Sequence, residues 1–119
     1  MFKVKDRQIV GVEPFEYLPV TEGEVYELGE ALTFVSKATK CAAASRPTHI
    51  CMGPGDGAVV PVMPVLATTR FEVPYAEKPT VGTKVQLGAT ALAVVATTEG
   101  AFRVTDIDEE AGTVCGYFD

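Results

Sequence analysis

The stretch VGTKVQLGATALAVV, residues 81–95, decides how this chain is read. It has an earlier, looser echo in EGEVYELGEALTFV, residues 22–35. In each, a glycine is followed five residues later by leucine and then by a second glycine: Gly23, Leu28, Gly29 and Gly82, Leu87, Gly88. A short apolar run follows each second glycine. A strand, a tight glycine turn and a return strand account for both copies, because glycine enters turn conformations at little steric cost. In the first copy this puts Val25 and Glu27 on one strand face and Tyr26 and Leu28 on the other.

Outward from these units the same pattern recurs. Residues 31–36 are β-rich, with Leu32, Phe34 and Val35. KATKCAAAS, residues 37–45, is too short for an independent helix and reads as a loop or wide hairpin connection. PTHICM, residues 47–52, is a strand that opens on a proline, and GPGDG, residues 53–57, is the strongest turn signal. AVVPVMPVL, residues 58–66, is wholly apolar yet carries Pro61 and Pro64. Either proline breaks a helix, so a strand at an edge or bulge remains. Residues 69–73 continue as strand up to Pro74. Two last strands, around 102–107 and 113–118, flank the acidic turn DIDEEAG, with Val114 and Gly116 opposed to Cys115 and Tyr117. No helical spacing persists over three turns. The expectation is an all-β fold: a small barrel or sandwich of short strands with glycine-turn hairpins. The repeated unit favours a barrel built from two similar halves.

Residues 1–20 differ in character. They alternate loosely and carry Pro14 and Pro19, which forbid a helix and disfavour a central strand. They read as an extended N-terminal arm, and residues 21–119 as a single β domain. Phe2, Val4, Ile9, Phe15, Tyr17 and Leu18 are the arm residues expected to meet another protein; the alternative is an edge segment lying on the same domain. The apolar stretches 15–20 and 59–66 are both candidates for burial, against a partner or in the chain's own core.

Composition narrows the classes. A chain of 119 residues fits one domain and buries about two-thirds of its unfolded surface. Hydrophobic residues are 47% and charged residues 22%, as in ordinary globular proteins. The net charge of −6 and pI of about 4.7 argue against a nucleic-acid partner. No apolar run approaches the ~18 residues of a membrane helix, and the charged start has no signal-peptide core, so folding in the cytoplasm of the producing cell is expected. Three widely spaced cysteines do not make a disulfide framework.

His49 and Cys51 share a strand face, and Cys41 or Cys115 could add a third metal ligand. Zinc sites, however, use close ligand pairs, so a packed cysteine beside a hydrogen-bonded histidine is expected, with no metal and no cofactor. His49 is the only histidine available as a base, and neither Ser36 nor Ser45 sits in a glycine elbow; no enzyme is expected. Asp106, Asp108, Glu109 and Glu110 lack the spacing of an EF-hand loop and read as a solvated hairpin tip. GPGDG is followed by no Gly-Lys-Ser/Thr and is not a phosphate loop.

Three passages together resemble a known class. These are residues 21–40, with GEAL and SKATK, then RPTHICM at 46–52, then VGTKVQLGATALAVVATT at 81–98. They are similar to small all-β decoration, or cement, proteins that coat the capsids of tailed bacteriophages. The resemblance implies a non-enzymatic virion protein on the capsid exterior, made in the host cytoplasm. It also implies binding to the major capsid protein, homotrimers, and an N-terminal arm in the contact. The similar text has no site motif, so it assigns no residue a role. The alternative from another class is a small ligand- or carbohydrate-binding β-barrel module, against which the absence of Trp weighs.

Overall fold

Short alternating segments punctuated by glycine, proline and aspartate form strands throughout, and no helix forms among the described residues. A computed structural model describes residues 1–7 and 16–119. The strands are β1 (Lys3–Arg7), β2 (Glu16–Pro19), β3 (Ala31–Phe34), β4 (Ala38–Lys40), β5 (His49–Cys51) and β6 (Val59–Pro64). They continue as β7 (Thr69–Pro74), β8 (Lys84–Leu87), β9 (Val94–Thr98), β10 (Phe102–Asp108) and β11 (Thr113–Phe118). They make two sheets, one ordered β1-β7-β11-β10-β8-β9 and the other β2-β6-β5-β3-β4, with every strand pair antiparallel.

With β1 set aside, the two sheets have one strand order. Each runs first, fifth, fourth, second, third strand of its half of the chain. The likeness extends to detail. β2 and β7 both end in proline, Pro19 and Pro74. The next residues, Val20 and Tyr75, each make a single parallel bridge to the third strand of their half, at Ala38 and Val94. Their amides donate to Ala58 and Gly112, just before the fifth strands. The sheets therefore curl toward closure, but one bridge is not a ladder. The result is a small sandwich of two open sheets and not a closed barrel. The expected two similar halves are present, in a register other than the glycine echo suggested. Residues 22–28 form no strand, and β8 is matched by β3 instead.

Two apolar clusters follow from this. The larger fills the second half and the space between the sheets. Phe2, Phe71, Phe102 and Phe118 are its centre, with ring centroids 5.2 to 5.9 Å apart and mostly edge-on, a geometry that adds about 0.5–1.5 kcal/mol per pair beyond burial. Gly116 lies opposite Val104; a side chain there would collide with the Arg103 carbonyl and the Phe102 ring. The smaller cluster lies on the other face of the first half's sheet: Leu18, Tyr26, Leu32, Ala38, Cys51, Val60 and Val62.

Of the edge or bulge expected for residues 58–66, the edge is corrected, since β6 pairs with β2 on one side and β5 on the other. Its prolines are tolerated because each sits where a ladder ends. Pro61 accepts from the Met52 amide, one residue past β5, and Pro64 lies beyond the described pairing with β2. Val60, Val62, Met63 and Val65 are buried within the chain itself, while Val59, Pro61 and Pro64 are half-buried and Leu66 is exposed. Residues 37–45, read as a connection, contain β4, which forms a hairpin with β3.

Candidate interaction surface

The first twenty residues contribute to both sheets. β1 pairs with β7 and is the outermost strand of one sheet; β2 pairs with β6 and is the outermost strand of the other. Of the six expected contact residues, Phe2 lies in the centre of the aromatic cluster and Val4 packs half-buried against it. Leu18 belongs to the smaller cluster. These three hold the fold together. Tyr17 alone is presented to solvent, 66% exposed on the open edge strand β2. Ile9 and Phe15 lie outside the described residues. Other large apolar side chains stand exposed on the first half, Val25 at 78% and Val35 at 93%, against Val81 at 54% on the second.

A cleft of about 700 Å³ opens on the first half. One wall is the loop 19–26, which leaves β2; the other is the turn with Pro54, Gly55, Gly57 and Ala58, and Lys37 closes one end. The loop is not loosely held. The Tyr26 hydroxyl accepts from the Thr21 amide at 2.8 Å and donates to the Ala38 carbonyl at 2.7 Å. Glu24 accepts from the Lys40 amide at 2.6 Å, which caps the outer edge of β4. Gly55 approaches so closely that a Cβ there would stand 3.2 Å from the Tyr26 ring. The Asp56 carboxylate turns back to accept from the Ala58 and Val59 amides, and these bonds hold its pKa below the usual aspartate value. The cleft is thus a rigid trough with glycine on both walls and Glu22, Glu24 and Lys37 as its charges.

His49 Nδ1 lies 2.8 Å from the Thr48 hydroxyl, its Nε2 lies 3.5 Å from Glu16, and Phe34 stacks on it edge-on. Sequence reading missed Thr48 and Glu16 as its partners, because β2 and β5 meet only through β6. The Thr48 hydroxyl also accepts from the Phe34 amide, which ties it to β3. Cys51 is buried and donates to the Gly53 carbonyl. The Cys41 thiol is pushed up to about 11 by burial, and burial raises Cys51 and Cys115 as well, so all three favour the unreactive thiol. Among the described residues no group of three His, Cys, Asp or Glu side chains is placed to hold a metal ion. At the acidic tip, Asp108 accepts from the Ala111 amide and Glu109 pairs with Lys78. Glu30 is 3% exposed, with Oε1 lacking a partner; burial raises its pKa, against a weaker lowering by Lys40.

No protein-family model, no curated protein and no solved structure matches this chain.

Proposed function

We propose that this chain is a non-enzymatic structural protein that binds the outer surface of a viral capsid and clamps neighbouring major capsid subunits. The observation that carries the reading is that the N-terminal segment supplies the outermost strand of both sheets and leaves Tyr17 exposed on one of them. A clamp needs a stiff body and an edge that can pair with or lie along a neighbour, and edge strands offer unpaired backbone groups for that. The acidic surface suits a protein that must stay soluble and off packaged DNA. The resemblance of residues 21–40, 46–52 and 81–98 to decoration proteins adds the virion exterior, the major capsid protein and a homotrimer to the proposal.

The test is cosedimentation with undecorated shells of the cognate major capsid protein. The wild-type chain is expected to pellet with the shells and raise their disruption temperature, and Tyr17→Asp to bind less while melting normally. A wild-type chain that stays in the supernatant sinks the proposal. Deleting the arm is the poorer experiment, because it removes Phe2 and Leu18 from the two cores.

A second reading, a small ligand- or carbohydrate-binding module, is favoured by the cleft on the first half. Sugar or metabolite screens by thermal shift address it, with Ala58→Phe as the filled-cleft control.

A further inference from the structure

The two halves differ most where the first carries its cleft. In the second half, Lys78 stands three residues past the bridge residue Tyr75, and Glu109 three residues before Gly112, whose carbonyl the Tyr75 amide reaches. These two long side chains form an ion pair that spans from the loop after β7 to the turn before β11. In the first half the bridge residue is Val20 and its acceptor is Ala58. The matching positions are Gly23 and Gly55, and both line the cleft. The second half closes this place with its own side chains. The first has glycine at both positions and a trough between them.

We infer that this trough is a docking site for an extended peptide segment of a partner protein that carries a lysine or arginine. Glu22 and Glu24 on the loop wall face Lys37; Glu24 gives one oxygen to the Lys40 amide, and Asp56 is turned into its own turn. A cation entering from outside would meet the Glu22 carboxylate and the remaining oxygen of Glu24, much as Lys78 meets Glu109 in the second half. Val20, Val25 and Ala58 add apolar surface for the segment's small side chains, and the glycine walls let its backbone lie close. Tyr26, fixed through its hydroxyl, keeps the trough formed without a ligand, so little ordering opposes binding. The inference goes beyond the capsid reading and holds for any partner that offers such a segment.

The test is selection of a random peptide display library on the purified full chain, followed by binding measurements on the enriched peptides. Enriched sequences are expected to carry Lys or Arg, to bind more weakly as salt rises, and to lose about tenfold in affinity against Glu22→Lys. Ala58→Phe, which fills the trough from an exposed position, is expected to abolish binding. Unchanged melting of both variants shows that the fold survives. Enriched peptides that are acidic or neutral, or that bind both variants as well as the wild type, overturn the inference. So does a selection that enriches nothing.

Discussion

Residues 16–64 and 69–118 run the same five-strand order, yet the two halves are finished differently. The second is packed with phenylalanine, gains β1 along its first strand, and is latched on the outside by Lys78 and Glu109. The first is packed with smaller residues, leaves β2 as an open edge, and has a cleft at the place of the latch. Strand order is thus compatible with very different degrees of completion. The second half is the more completely packed of the two, and the first keeps an open cleft.

Substitutions in the two halves separate their contributions. The largest effect is expected for Phe102→Ala in the second half, a loss of about 4 kcal/mol, against about 2–3 kcal/mol for Leu32→Ala in the first. Denaturant melts of both decide it, and a larger loss at Leu32 would reverse the assignment of the dominant core. Tyr26→Phe removes the hydroxyl that joins Thr21 to Ala38 and is expected to cost about 1–2 kcal/mol. An unchanged melt would mean that the loop wall does not depend on that hydroxyl.

A smaller effect comes from Glu30. Its folded pKa is raised by burial, with Glu24 and Glu27 adding to the rise and Lys40 opposing it. A raised carboxyl favours the folded state most below the usual glutamate range, and that contribution is lost as pH rises through the folded pKa. Glu30→Gln is therefore expected to be more stable than the wild type at neutral pH, by up to about 1 kcal/mol, with the advantage fading on acidification. A variant less stable at neutral pH would show that the carboxylate has a favourable partner. Smallest in stability is Lys78→Gly with Glu109→Gly, since exposed pairs contribute little. It is expected to leave the melting midpoint almost unmoved while creating a second site for the basic peptides selected on the first half. No second site would mean that the two halves are not equivalent at this place.

Much of the fold was legible in the sequence, and the exceptions have physical causes. The strands β8, β10 and β11 show inward Val85, Leu87, Val104 and Val114 at strand spacing and fold as read, while the return strand β9 starts only at Val94, after a longer connection than a tight turn at Gly88. Residues 22–28 show similar spacing, but only Tyr26 turns inward, while Val25 and Leu28 stay exposed. A glycine–leucine–glycine echo fixes local turns, not the long-range pairing that makes β3 the counterpart of β8. β6 was misplaced because a proline strand looks like an edge until its partners' lengths are known. The candidate site was less legible. Tyr17 was named from its apolar bulk beside two prolines. The cleft is assembled from three separate segments that read locally as a strand, a connection and a turn, and only long-range pairing brings them together.

The most direct test of the unequal halves is native-state amide hydrogen exchange, residue by residue. Val73, Val104 and Val114 are expected to exchange only through global unfolding, while Leu18, Thr39 and Lys40 on the outer strands of the first half exchange through smaller openings. Equal protection of both sets, or greater protection in the first half, would contradict the inequality of the two halves.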